Sequence, residues 1–173
     1  MGIITGNGTA VTGLGGATGY GETALDRADA STTQIDVSAV FESGFSIGGA
    51  TFSAASLFIS TDGLISFGAP ILGLPANPGT LSTPFIAPFL ADVDTRLDGE
   101  GAESGAIWVD IDAASDVVSI TWADVGFYRR NASLTNTFQL QLFDRGNGNC
   151  DAVLGYHSVH WTAAVLEGGS GGS

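Results

Sequence analysis

Ser56-Leu57-Phe58-Ile59-Ser60-Thr61, Asp62-Gly63, Leu64-Ile65-Ser66-Phe67-Gly68 reads as a β-hairpin. Two apolar runs of strand length flank Asp-Gly, a pair favoured in two-residue type I′ turns because both positions take φ > 0. The same pattern recurs downstream. Ala106 to Asp112 alternates, with Ile107, Val109 and Ile111 on one face, and Val117 to Trp122 returns after the loop Ala113-Ala114-Ser115-Asp116. Thr137 to Phe143 is a strand with Phe138, Leu140 and Leu142 inward, and Gly146-Asn147-Gly148-Asn149 is a turn. Ala152 to Tyr156 and Ser158 to Thr162 read as one strand interrupted by a bulge near His157.

Upstream of the hairpin the signals are shorter. Gln34 to Phe41 reads as a strand, and Gly44 to Phe52 as a tight β segment with Gly-marked turns. Ala10-Val11-Thr12 is a short strand and Ala24 to Asp29 a brief turn. Pro84 and Pro88 flank Phe85-Ile86-Ala87, which suits an edge strand because Pro cannot donate to a ladder. No stretch sustains a helical period. Short strands separated by turns at roughly 8–12 residues predict an all-β chain, an antiparallel β-sandwich. Residues 1–30, rich in Gly, Thr and Ala, are expected to form a Gly-rich N-terminal arm, 31–166 the sandwich, and 167–173 a flexible Gly/Ser tail.

Composition agrees with a folded domain. Of 173 residues, 44% are hydrophobic and 13% charged, and 26 glycines supply turns. No apolar run approaches the roughly 18 residues of a membrane span. The five basic residues are all Arg against 18 acidic ones, for a net charge of -13. The absence of Lys excludes a P-loop, a Schiff-base enzyme and a kinase fold, each of which needs its amine. The negative charge argues against a nucleic-acid partner, whose phosphates would be repelled. An acidic, Lys-free surface suits a saline or calcium-containing medium. Cys150 stands alone, so no internal disulfide forms, and it reads as a buried thiol. The N-terminus from Met1 lacks a basic segment and an apolar core. With Met1 as the native start, export would take a route other than a cleaved N-terminal signal.

The order of motifs resembles the NIDO (nidogen-like) domain family over roughly residues 20–165. Leu57 to Gly68 stands where the family has an apolar strand, Asn-Gly and an apolar-Phe strand. Phe85-Ile86-Ala87-Pro88-Phe89-Leu90-Ala91-Asp92-Val93-Asp94 matches closely. Ile120-Thr121-Trp122, Val125 to Tyr128, Asn136 to Gln139 and Tyr156 to Thr162 follow in order. Asp62 replaces the usual Asn, Leu90 stands where Trp is usual, and the family leads one to expect a further Gly-containing strand after Ser173. The resemblance implies a β module without catalysis, with an adhesion or matrix role outside the cell. The partners expected are a protein or glycan surface, or copies of the chain itself, with no membrane insertion. The alternative is a structural subunit of a virion or appendage, assembled as a homo-oligomer by strand exchange at exposed termini and sheet edges.

Candidate chemistry centres on the acidic run. Asp92 and Asp94 share one face of an extended segment, and Asp98 and Glu100 follow in a Gly-rich loop. Oxygen-rich sets of this kind suit Ca²⁺, the one cofactor the chain suggests, although the spacing is not that of an EF-hand. The competing reading has Asp92 and Asp94 capping turns and pairing with Arg96 or another Arg. No catalytic or organic-cofactor set emerges. Gly44-Phe45-Ser46-Ile47-Gly48 and Gly168-Gly169-Ser170-Gly171-Gly172 match Gly-x-Ser-x-Gly without the strand–turn–helix context. His157 and His160 would point to opposite faces of a strand. Trp108, Trp122 and Trp161 are expected in the core or at its rim, and Asn7 and Asn131 head formal glycosylation sequons.

Overall fold

The computed structural model describes residues 2–5 and 9–162, the first four by backbone alone. The tail 167–173, its Gly-x-Ser-x-Gly match and Asn7 lie outside the described residues. Among the described residues thirteen strands follow one another: β1 Gly2–Thr5, β2 Thr23–Ala24, β3 Thr32–Ile35, β4 Phe45–Ile47, β5 Ala50–Phe52, β6 Leu57–Ser60, β7 Leu64–Phe67, β8 Phe85–Ile86, β9 Val93–Asp94, β10 Ala106–Asp112, β11 Val117–Phe127, β12 Asn131–Asp144 and β13 Cys150–Val159. The chain is all-β, as the alternation predicts, and among the described residues the helical elements are two short 3₁₀ turns, Ala54–Ser56 and Pro78–Thr80.

The large sheet runs β1-β13-β12-β11-β10-β2, with β9 added alongside β11. The small sheet runs β3-β6-β7-β8, and β4 pairs with β5 as a separate hairpin. The pairings are antiparallel except that β1 adds to β13 in parallel. One apolar core joins the two main sheets: Leu57, Ile59, Ile65 and Phe67 on one side, and Val109, Val118, Ile120, Trp122, Phe138, Leu140 and Leu142 on the other. Trp122 stacks on Phe138 at 5.0 Å and donates its indole N–H to the carbonyls of Ser60 and Thr61. A buried indole needs such an acceptor. Trp161 is buried and Trp108 half-buried, in keeping with the sequence reading.

Several local expectations are corrected. The central hairpin closes Ser60 on Leu64, so its loop is Thr61-Asp62-Gly63 rather than two residues. Of these only Gly63 has positive φ, at 73°. That is a three-residue loop with Gly at the left-handed position, which frees Asp62 to turn inward. The strand predicted over Gln34–Phe41 stops at Ile35. Val37, Val40 and Phe41 are buried, and the N–H groups of Val40 and Phe41 both donate to the Val37 carbonyl. An i, i+3, i+4 apolar spacing here makes one helical turn rather than more strand. Ile111 is 40% exposed, at the far end of an otherwise inward face. The bulge near His157 is present: Thr137 pairs with Ser158 and Phe138 with Tyr156, which skips His157.

Residues 9–24 lie on the large sheet. Ala10-Val11-Thr12 is not a strand, yet Val11 is held by Gln139 of β12, which accepts from its N–H at 2.8 Å and donates to its carbonyl at 3.0 Å. Gly21 lies against β10 so closely that a Cβ would fall 2.6 Å from the Val109 carbonyl. Ala24, expected to begin a turn, instead pairs with Trp108, beside Thr23 on Val109. The sheet therefore ends in β1 on one side and β2 on the other, both supplied by residues 1–30.

Candidate functional site

The hairpin tip and the acidic segment are pressed together. The Phe89 N–H donates to Gly63 O and the Ala91 N–H to Asp62 O. A Cβ on Gly63 would fall 1.9 Å from Phe89 O, so only Gly permits this approach. The chain then enters the large sheet: β9 pairs with Gly126 and Phe127, and the Tyr128 N–H donates to Asp92 O. A third segment joins from the N-terminal side. Asp29 bridges Asp94, and Ala28 and Thr95 exchange backbone and hydroxyl hydrogen bonds. Arg27 clamps the carbonyls of Thr95, Ser104 and Gly105. Four carboxylates, Asp29, Asp62, Asp92 and Asp94, thus come near enough to act on one another's charge, and the Arg96 guanidinium pairs with two of them, Asp94 and Asp29.

Their situations differ. Asp94 is fully buried, and its two oxygens accept from Arg96 N, Nε and Nη2 and from Arg130 N, at 2.6–3.0 Å. Burial pushes its carboxyl up, but the hydrogen bonds from Arg96 and Arg130 outweigh this and hold it below the usual range. Arg96 Nη2 also donates to Asp29 Oδ2 at 2.5 Å. The hydrogen bonds to Asp94 raise the guanidinium further. Asp29 is pushed up by burial and by Asp94, with Arg96 opposing. Asp92 is half-buried, and burial with the charges of Asp29 and Asp94 raises it to about 6.

Asp62 is the outlier. It is 0% exposed, and neither carboxylate oxygen has a hydrogen-bond partner. Burial, then the charges of Asp92 and Asp29, push it to about 7. The Val93 amide sits near enough to lower it slightly, but its hydrogen bond goes to Ala91 O.

The predicted set Asp92, Asp94, Asp98 and Glu100 is divided. Asp98 and Glu100 are exposed and sit with Arg129 and Arg130 in a surface cleft of about 370 Å³. Asp98 accepts from the Glu100 N–H, while Glu103 receives the amides of Asp98 and Gly99. Asp94 has its acceptor sites filled by nitrogen donors, so it offers a cation nothing. Among the described residues no three His, Cys, Asp or Glu side chains stand as a ready metal set. Sequence reasoning missed Asp29 and Asp62. The available signal was a carboxylate inside the apolar hairpin, at the position where the resembled family has Asn.

Elsewhere the chemistry is plain. His157 and His160 are exposed, with His160 Nδ1 2.9 Å from Thr135 O. Ser46 lies exposed in β4. Asn131 is exposed, and its Oδ1 accepts from Ser133. Cys150 is buried, and burial pushes its thiol up.

Fold and site together describe a β module whose notable chemistry is a buried acidic junction. Residues 105–172 match the model of the nidogen-like domain, a family of extracellular modules. The match takes in β10 to β13 and less than half of the chain, downstream of the hairpin and the acidic segment. No curated protein and no solved structure matches the chain.

Proposed function

We propose that this chain is a non-catalytic adhesion or interaction module of a secreted or surface protein, acting outside the cell on a protein or glycan partner. The observation that carries the reading is the nidogen-like match over the long strands β10 to β13. The side-chain chemistry supports it. The polar groups that gather, Asp29, Asp94 and Arg96, hold segments of chain together. The test is a binding screen of the purified chain, displayed multivalently, against glycans and matrix proteins. Saturable binding to one class, competed by the free chain, is expected. Absence of binding across both classes, with and without Ca²⁺, overturns the reading.

A second reading, a structural subunit of a virion or appendage, draws on β1. Its parallel addition to β13 makes that sheet edge one that accepts a strand. Strand exchange there would build homo-oligomers. Sedimentation equilibrium at rising concentration distinguishes the two: a symmetric oligomer supports the subunit, and a persistent monomer supports the module.

A further inference from the structure

We propose that the acidic junction at Asp62 and Asp92 binds a hard divalent cation, Ca²⁺ fitting best, and that Asp62 and Asp92 are its charged ligands. The proposal goes beyond the interaction reading and does not depend on it.

The argument begins with a charge count. Four carboxylates meet at the junction of hairpin tip, acidic segment and Asp29, and Arg96 is paired with two of them, Asp29 and Asp94. Arg96 gives its Nε and Nη2 to Asp94 and Asp29. Neither Asp62 nor Asp92 forms a salt bridge among the described residues, and Arg96 reaches Asp92 only through its longer-range charge. Asp62 matters most, since its two oxygens are, among the described residues, the only fully buried side-chain nitrogen or oxygen atoms without a hydrogen-bond partner. An ionised carboxylate removed from water and given no donor is strongly destabilising, and natural proteins pair such groups or place a metal on them. An Asn at this position would avoid the cost.

The donor chemistry selects the ion. The ligands are carboxylate oxygens with no His or Cys, which suits a hard cation. Two carboxylates leave places for main-chain carbonyls and water, an irregular shell that Ca²⁺ accepts and Mg²⁺, demanding a near-ideal octahedron, does not. With no third acidic ligand grouped there, the affinity expected is that of extracellular modules, about 10⁻⁴–10⁻³ M. The ion would tie the tip of the small sheet to the segment that feeds β9 into the large one.

The experiment is thermal denaturation and calorimetric titration of the full chain with CaCl₂ at pH 7.5, against chelator and against MgCl₂. The expected result is a saturable rise in Tm of about 3–6 °C at 10 mM Ca²⁺ for a site of about 1 mM affinity. Mg²⁺ should do less. Asp62→Asn and Asp92→Asn should each abolish the response, and Asp98→Asn with Glu100→Gln should leave it intact. Asp62→Asn is isosteric and relieves a buried charge, so it should fold. A Tm indifferent to Ca²⁺, or a Ca²⁺ response that survives the Asp62→Asn, Asp92→Asn pair, overturns the proposal. A flat metal response in a protein that gains stability on acidification from pH 7 to 5 would likewise overturn it, with Asp62 holding a proton instead of an ion. None of these failures touches the binding screen, which is run with and without Ca²⁺.

Discussion

At the scale of single residues, the junction holds two carboxylates with opposite fates. Asp62 is unpartnered, and its carboxyl lies near 7 instead of 3.8. In chelator, the folded chain therefore keeps a proton that the unfolded chain releases from about pH 4 upward. Stability is full below that point, falls as pH rises towards 7, and stays low above it. Asp62→Asn should remove this fall and raise stability at pH 7.5 by about 2–4 kcal/mol, at one pK unit per ~1.4 kcal/mol. Urea denaturation of both proteins at pH 5 and pH 7.5 checks it, and equal pH slopes would refute it. Asp94 is the reverse case, a buried charge that is fully paired. Arg96→Ala strands it and should cost about 2–4 kcal/mol, discounted from the roughly 3–5 kcal/mol of a wholly buried pair because Arg96 is partly exposed. Restoration of most of that loss by adding Asp94→Asn is the expected double-mutant outcome, and strict additivity would contradict it.

At the scale of elements, legibility followed sequence distance. Strands whose apolar alternation faces one long ladder, such as β10 to β13, were readable from period alone, because neighbours in sequence are neighbours in the sheet. Gln34–Phe41 was not, since its apolar residues suit a strand and a helical turn alike and only packing decided between them. The acidic site failed in the same way. Asp92 and Asp94 announce themselves at the end of an apolar run, but Asp29 and Asp62 reach them through tertiary contacts. Conversely, Asp98 and Glu100 are adjacent in sequence yet turn outward on a loop where Gly99 and Gly101 have φ of 81° and 69°. The N-terminal segment is the other element whose place no local pattern revealed. Its anchor is the Gln139 amide, which serves both backbone groups of Val11 and also donates to Thr121 Oγ1. Gln139→Ala should cost about 1–3 kcal/mol through these lost partners. Hydrogen exchange should quicken at residues 9–22 while β11 and β12 stay protected, and uniform acceleration would show that the segment is no separable unit.

At the scale of the whole molecule, charge and core pull in different directions. The core is continuous between the sheets and salt-independent, whereas the net charge of -13 is spread over a chain without Lys. Self-repulsion of exposed carboxylates opposes compaction and is screened over about 10 Å at 0.1 M salt and about 3 Å at 1 M. The Arg96–Asp94 pair, buried on the Asp94 side and partly exposed on the Arg96 side, is screened less than the surface charges, so added salt relieves repulsion without dissolving the junction. Raising NaCl from 0.01 M to 1 M should therefore raise Tm by several degrees, smoothly and without saturation. The same increment is expected in Asp62→Asn, because the effect belongs to the surface and not to the buried carboxylate. A scan in chelator separates this response from specific Ca²⁺ binding, which saturates and requires Asp62. If Tm instead falls as NaCl rises, exposed ion pairs such as Arg145–Asp151 outweigh the surplus of acid, and the repulsion argument fails.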